Sequence, residues 1–193
     1  IDNAFPHHTN EIAQSESYLG HKWCNYWFHV HHLNTDKGKM SKSKGEFLTV
    51  SLLERKGYNP MAYRLFCLQS HYRRNLVFSW ENLDNAAVAY EKLIAKIAAL
   101  TDEGSIDEAA LEALKERFAN ALNGDLNTSL AVTAVYDVLK AKTTDATKLA
   151  ALADFDTVLS LNLLEAAEEV KKQNAKEAAE NADPEIDALV AAR

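Results

Sequence analysis

Hydrophobic residues in the second half of the chain recur at intervals of three and four, the spacing that one face of an α-helix requires. Four successive stretches show this period, and we predict a helix for each. Their apolar positions run from Leu83 to Leu100, from Leu111 to Leu122, from Ala131 to Leu139 and from Leu149 to about Leu164. The second half is therefore predicted to be a series of amphipathic helices.

Short polar residues precede these helices where N-caps are expected. The predicted caps are Ser79, Ser105 in the capping box Ser105–Glu108, either Asn127 or Thr128, and Asp145, while Gly124 ends the second helix. Residues 165–181 are rich in Ala, Glu and Lys, which fits either a solvated helix or a mobile tether. Asp183 before Pro184 is a further predicted cap, followed by an apolar stripe over 186–190.

The first half mixes helical and extended patterns. Helix-like patterns cover 7–18, 22–28, 50–56 after the cap Thr49, and 60–70 after Asn59, and residues 29–34 are a short extended segment. Short strands between helices are typical of an α/β domain. They are too few for a complete parallel sheet, so either further strands come from elsewhere or the chain is part of a longer one.

Composition excludes some folds and suggests a domain boundary. Six Gly and three Pro in 193 residues nearly exclude an all-β architecture, which needs many tight turns. The net charge of -7 is uneven, because residues 1–85 hold ten Lys/Arg and eight Asp/Glu while residues 86–193 hold eleven and twenty. We predict two domains, 1–80 and 81–193, and the acidic total argues against nonspecific binding to polyanions.

The sequence also bears on location. It has neither the pattern of a signal peptide nor an apolar run long enough to cross a membrane, so we expect a cytoplasmic protein without membrane contact. Cys24 and Cys67 are then expected to be free thiols that serve as packing residues.

The segment Gly38–Gly45, which we call the signature loop, places three lysines and two serines between two glycines. Ammonium and hydroxyl groups are suited to neutralising a triphosphate, although a solvated basic loop would have the same composition. The spacing is not that of a Walker A loop. Residues 39–43 read Lys-Met-Ser-Lys-Ser, which is identical to the signature of class I aminoacyl-tRNA synthetases.

Four further stretches resemble cysteinyl-tRNA synthetases in particular, in the order in which that family has them. They are Phe5–Glu16, with Thr9 where the family usually has Glu, Asn25–His29, His71–Arg73 with Ser79 and Glu81–Leu83, and Asp125–Thr128. The resemblance covers about residues 1–140. It implies a predominantly α fold: the C-terminal remnant of a Rossmann-like α/β catalytic domain (1–80), then an antiparallel helical bundle (81–193) that binds tRNA on its anticodon side.

The implied reaction joins L-cysteine to tRNA(Cys), using ATP with Mg²⁺, through a cysteinyl adenylate. By resemblance, Lys42 binds ATP and stabilises its phosphates as the cysteine carboxylate attacks the α-phosphorus. Lys39 is assigned a supporting role, and Ser41 and Ser43 are assigned as hydrogen-bond donors. Positioning and electrostatics carry this step, because the attacking carboxylate is already ionised.

His7 and Glu11 are the candidate zinc ligands. On a helix they lie at i and i+4 on one face, where a surface pair is the commoner interpretation. The resemblance implies that they are two ligands of a Zn²⁺ ion that binds the thiolate of substrate cysteine, while the other two ligands are upstream cysteines in the family. His8 is the alternative ligand.

Other residues have open interpretations. Trp23, Tyr26 and Trp27 could stack on a base, although packing in the core is the favoured expectation. Arg64, Arg73 and Arg74 are candidates for contacts with the tRNA backbone or for structural ion pairs. His29, His31 and His32 are assigned no site, since neighbouring side chains on a strand cannot all face one ion.

The family pattern also contains an ATP-binding element and the two zinc cysteines, all of which lie upstream of the stretch that corresponds to Phe5–Glu16. We therefore expect an incomplete, monomeric synthetase that is truncated at both ends and inactive alone. Two alternatives stay open: a cysteine ligase that acts on an amino-sugar, and a non-catalytic tRNA-binding module.

Overall fold

The computed structural model describes residues 3–35, 38–39 and 49–180, most of which lie in helices. A π-helical turn, Ala4–His8, comes first. The helices are α1 (Thr9–Leu19), α2 (Val50–Arg55), α3 (Pro60–Leu68), α4 (Trp80–Ala98), α5 (Glu108–Asn123), α6 (Thr128–Lys140), α7 (Asp145–Leu159) and α8 (Leu163–Glu180), and the strands are β1 (Leu33–Thr35), β2 (Gly38–Lys39) and β3 (Leu76–Phe78). The predominantly α class is confirmed.

The strands form one small sheet in the order β2-β1-β3. β1 runs parallel to β3, with Leu33 opposite Leu76, and antiparallel to β2, with Asn34 opposite Lys39. β3 is absent from the sequence-based prediction, because three residues are too few to show the alternating pattern of a strand.

Most predicted caps are confirmed. The side chains of Thr49, Asn59, Ser79 and Asn127 each accept a hydrogen bond from a backbone N–H in the first turn of the following helix. The predictions of Ser105 and Asp145 as caps are wrong. Asp107 caps α5 and Thr144 caps α7, and the Thr144 hydroxyl also donates to the Ser105 carbonyl at 2.8 Å, which places Ser105 outside the helix.

The predicted fourth helix of the second half ends earlier than expected. α7 stops at Leu159, because Ser160 adopts a left-handed conformation with φ 50°. The Asp156 carboxylate then accepts the N–H groups of Leu161 and Leu163 at 2.6 and 2.8 Å, which starts α8. Residues 165–180 are therefore a helix rather than a tether, and the predicted cap and stripe after residue 182 lie outside the described residues.

The buried side chains form two clusters that share α3 and α4. The larger joins α3 to α8 around Leu65, Ile97, Val135 and Phe155. The smaller, which lies beside the sheet, consists of Leu53, Phe66, Phe78, Leu83 and Ala86. No helix of the described part of the chain is long and apolar enough to cross a membrane.

The N-terminal region packs differently. α1 buries none of its residues, and it ends at Gly20, whose φ of 72° suits a residue without a Cβ. The helix predicted for 22–28 is wrong, since these residues are irregular. The ring of His21 and the thiol of Cys24 bond to nearby carbonyls instead, which competes with helical hydrogen bonding.

Candidate functional site

The candidate zinc ligands lie at the start of α1. His7 belongs to the π-helical turn and Glu11 to the first turn of α1, and both side chains are exposed. The Thr9 hydroxyl donates to the Pro6 carbonyl at 2.9 Å and so ties the turn to the helix. Within residues 3–35, 38–39 and 49–180, no group of three or more His, Cys, Asp or Glu side chains could hold a metal ion. The described part of the chain thus offers at most a partial metal site.

His8, the alternative ligand, is committed to other side chains. Its Nδ1 atom lies 3.0 Å from Nε2 of His29, so one ring donates and the other accepts. The His8 ring also stacks on Trp27, with centroids 4.4 Å apart. Desolvation and the neighbouring His8 lower the pKa of His29. His8 therefore links the π-helical turn, which includes His7, to residues 27–29.

The aromatic residues after α1 are more exposed than predicted. Tyr26 is 91% and Trp23 is 42% exposed, and Trp23 meets Trp27 edge-on at 5.7 Å. The expectation that these side chains pack in a core is wrong for the described structure. Rings in this segment contact one another and His8, and a sequence gives no direct signal for such a surface arrangement.

A cavity of about 380 Å³ opens beside this segment. It is lined by residues 27–29 together with His31, Tyr72 and Arg73. The Phe28 and Tyr72 rings lie 4.5 Å apart, and the His31 N–H donates to the Tyr72 carbonyl at 3.0 Å. The segment that leads into β1 is thus attached to the segment that precedes β3.

Two of the sequence stretches that resemble the synthetase family meet at Asp125. The Tyr72 hydroxyl donates to Oδ1 of Asp125 at 2.5 Å, and Arg73 Nε donates to Oδ2 at 2.6 Å. A second Arg73 nitrogen donates to Oδ1 at 3.1 Å, which makes the pair bidentate. The hydrogen bonds from Arg73 and Tyr72 lower the pKa of Asp125 to about 2. Arg73 is therefore a structural ion-pair partner, one of the two interpretations left open by the sequence.

Arg64 also has a structural partner. Its Nε atom donates to the Leu159 carbonyl at 2.6 Å, where α7 ends. Arg74 is exposed. Cys24 and Cys67 are both free thiols, as predicted, and Cys67 packs against the smaller cluster, where burial raises its pKa.

The signature loop begins in the sheet, and the described residues that follow it lie in α2. Lys39 lies in β2, opposite Asn34, while Ser41, Lys42 and Ser43 lie outside the described residues. The next described residue is Thr49, whose hydroxyl oxygen caps α2 by accepting the Leu52 N–H at 3.2 Å.

The C-terminal end of α2 and the residues that follow it contact α3 and α4. Leu53 is buried in the smaller cluster, and Lys56 Nζ lies 4.9 Å from the centre of the Trp80 ring. The Tyr58 hydroxyl donates to Asp84 on α4. Residues 38–39 thus belong to the sheet, and α2, which begins after Thr49, packs against helices α3 and α4.

Comparison with known proteins shows what this part of the chain is similar to. A family model described as the class I (C) tRNA synthetase catalytic domain matches residues 1–88, the part that contains the π-helical turn and the three-stranded sheet. Residues 1–88 are thus similar to the catalytic domain of these synthetases. Similarity to curated proteins continues beyond residue 88 into the helices that follow.

Curated relatives extend the match to most of the chain. The cysteine–tRNA ligase of Novosphingobium aromaticivorans is 42% identical over 180 residues, covering 86% of this chain and 36% of the relative. Cysteine–tRNA ligase 1 of Burkholderia lata is 39% identical over 165 residues, covering 85% and 34%, and the cysteine–tRNA ligase of Borreliella burgdorferi is 34% identical over 181 residues, covering 86% and 37%. The chain spans about a third of the length of these relatives.

Sequence reasoning missed Asp125 and Tyr72 as interacting residues. Both lie in stretches quoted for their resemblance to the family, but 53 residues separate them. In the sequence, the available signal is that both stretches resemble the same family, which does not by itself show that they are in contact. The structure provides that information.

Proposed function

We propose that this chain carries the ATP-handling loop and part of the cysteine-recognition site of a cysteine–tRNA ligase. The observation that carries the proposal is the match of residues 1–88 to the class I (C) synthetase catalytic domain. Relatives named cysteine–tRNA ligase, which align over most of the chain, support the choice of amino acid. Cytoplasmic location and a monomeric state stay predictions from sequence.

The proposed first step is adenylation. A carboxylate oxygen of L-cysteine attacks the α-phosphorus of ATP, the bond from that phosphorus to the bridging oxygen breaks, and pyrophosphate leaves. Lys42 stabilises the negative charge on the phosphates, with Lys39, Ser41 and Ser43 as further donors, and Mg²⁺ accompanies ATP. A hydroxyl of the terminal ribose of tRNA(Cys) then attacks the carbonyl carbon of the adenylate, the bond from that carbon to the phosphate oxygen breaks, and AMP leaves. The identity of residues 39–43 with the class I signature supports this role, because such a step depends on cationic and hydrogen-bonding groups directed at the phosphates.

His7 and Glu11 are proposed to hold Zn²⁺, whose chemistry is to bind the thiolate of cysteine and so to discriminate against serine. Their exposed positions at the start of α1 fit such a role. A tetrahedral site needs two further donors, and we propose that these come from outside the described residues. The helices after residue 80 are proposed to contact tRNA at only a few selected points, because their net negative charge repels the phosphate backbone elsewhere.

The loop assignment is tested by titrating the chain with ATP and Mg²⁺ in a calorimeter. We expect binding that Lys42→Ala weakens about 10- to 100-fold, which is the loss of one charge-assisted contact to phosphate. Lys44→Ala, in the same loop, is the matched control and should change affinity far less. Failure of the unchanged chain to bind ATP would contradict the assignment, and tight tRNA binding without ATP binding would favour a non-catalytic module.

Cysteine-dependent exchange of pyrophosphate into ATP tests the rest of the site. Since the described residues supply only two zinc donors, we expect no exchange from this chain alone. Measurable exchange with cysteine, but not with serine, would show that the site is completed by residues of this chain.

A further inference from the structure

Asp125 lies in the loop between α5 and α6, but its carboxylate is bonded to side chains that precede β3. Together Tyr72, Arg73 and Asp125 form what we call the Asp125 clamp, with distances of 2.5, 2.6 and 3.1 Å. The Arg73 guanidinium also lies 5.0 Å from the centre of the Tyr72 ring. Both oxygens of the carboxylate are therefore used, and the three side chains hold one another in a fixed arrangement.

Stability alone does not account for the clamp. The side chains of Arg73 and Asp125 are 64% and 50% exposed, and ion pairs so exposed contribute little to folding. Asp125 and Leu126 nevertheless adopt φ values of 61° and 51°, in the left-handed region that is unfavourable for a residue such as Leu. The chain accepts this backbone conformation at the place where it presents the carboxylate to Tyr72 and Arg73.

The clamp is connected to the segment that leads into the sheet. Tyr72 contacts residues 28–31 twice, through its ring on Phe28 at 4.5 Å and through its carbonyl, which accepts the His31 N–H at 3.0 Å. Two residues later the chain enters β1, which pairs with β2, the first two residues of the signature loop. On the other side, the His29 ring bonds to His8, next to the proposed ligand His7.

We propose that Asp125 is a positioning residue that fixes residues 28–31 and, through them, β1 and the entry to the signature loop. The proposal rests on the proposed function, which assigns ATP binding to that loop. Asp125 acts through Tyr72 and touches no substrate. A side chain from the loop between α5 and α6 would thus set the geometry of residues 28–31 and of the strands β1 and β2.

The test measures amide hydrogen exchange by NMR in the full chain, with His31 as the reporter. Asp125→Asn should accelerate exchange at the His31 amide about tenfold, because the loss of the charged acceptor loosens the Tyr72 segment that binds this N–H. Tyr72→Phe should have a smaller effect in the same direction, and Asp125→Glu should restore part of the protection. Amides in the centre of α7 should be unchanged in every variant.

Asp154→Asn is the matched control. Asp154 has a carboxylate of similar exposure, 47%, paired with Lys115 at 3.4 Å within the helical region. This variant should leave His31 exchange unaltered. Unchanged His31 exchange in Asp125→Asn, or equal acceleration at all amides, would overturn the proposal.

A titration with ATP and Mg²⁺ separates the positioning of residues 28–31 by Asp125 from its effect on ATP binding by the signature loop. If the unchanged chain binds ATP, Asp125→Asn should raise the dissociation constant several-fold and Asp154→Asn should not. An unaltered constant despite faster His31 exchange would overturn the connection to the loop. If the unchanged chain binds no ATP, the proposed function of the loop fails, and the exchange result still decides whether Asp125 positions residues 28–31.

Discussion

Asp156 is predicted to hold the junction between α7 and α8. Its carboxylate accepts the N–H groups of Leu161 and Leu163, and both of these residues are fully buried. Substitution by Ala removes both acceptors and leaves two donors in a region from which water is excluded. A buried donor left unsatisfied costs about 1–3 kcal/mol.

The expected loss for Asp156→Ala is therefore about 3 kcal/mol of unfolding free energy, which allows for partial relaxation around the two donors. For a chain of this size that corresponds to a fall in melting temperature of about 6–12 °C. Asp156→Asn keeps one carbonyl acceptor and should lower the free energy of unfolding by about half as much.

Urea unfolding followed by far-ultraviolet circular dichroism measures the effect as a shift of the midpoint without a change of slope. Asp154→Ala, two residues earlier on α7, is the matched control, because it removes the same atoms and charge from an exposed ion pair with Lys115. It should cost less than about 1 kcal/mol. Equal effects of the two substitutions would refute the reasoning.

Three further outcomes are expected. Phe155→Ala should destabilise the chain by about 3–5 kcal/mol in the same assay, because the ring is fully buried and stacks on Phe118 at 4.1 Å, and a loss below 2 kcal/mol would contradict this. The pKa of Asp125 is held near 2, below its ordinary 3.8, so the Asp125 clamp should persist as acid is added and be lost only as the pH falls towards 2. The NMR signal of Arg73 Nε, followed in a pH titration, reports this loss, and a midpoint near pH 3.8 would contradict the prediction. Burial raises the pKa of Cys67, so this thiol should react slowly with iodoacetamide at pH 8 by peptide mapping, and rapid labelling in the folded state would contradict its packing.

Helix starts could be predicted from the sequence because the chemistry of a cap is local. Thr49, Asn59 and Ser79 each bond to an N–H two or three residues ahead, so a short window contains both partners. The errors at Ser105 and Asp145 arose where a second capable residue stood one or two positions away. Local sequence does not rank such neighbours, and contacts from elsewhere in the chain decide between them.

The roles of the arginines could not be predicted from the sequence. The partner of Arg64 is a carbonyl 95 residues later, and that of Arg73 is a carboxylate 52 residues later. The motif around Arg73 indicated a family, but the same side chain would suit a contact with phosphate. For the candidate site, the motifs supplied residue types, and only the three-dimensional contacts separated structural arginines from those free to meet a ligand.

The short helix α3 faces neighbours on almost every side. Leu65 belongs to the larger cluster and the next residue, Phe66, to the smaller, while Arg64, its one exposed residue, bonds to the end of α7. Few of its nine positions can therefore vary freely. In a saturation library that scores every single substitution, Pro60–Leu68 should tolerate the fewest replacements of any helix, and a one-residue deletion there should disturb both clusters at once, because it rotates each side chain by about 100°.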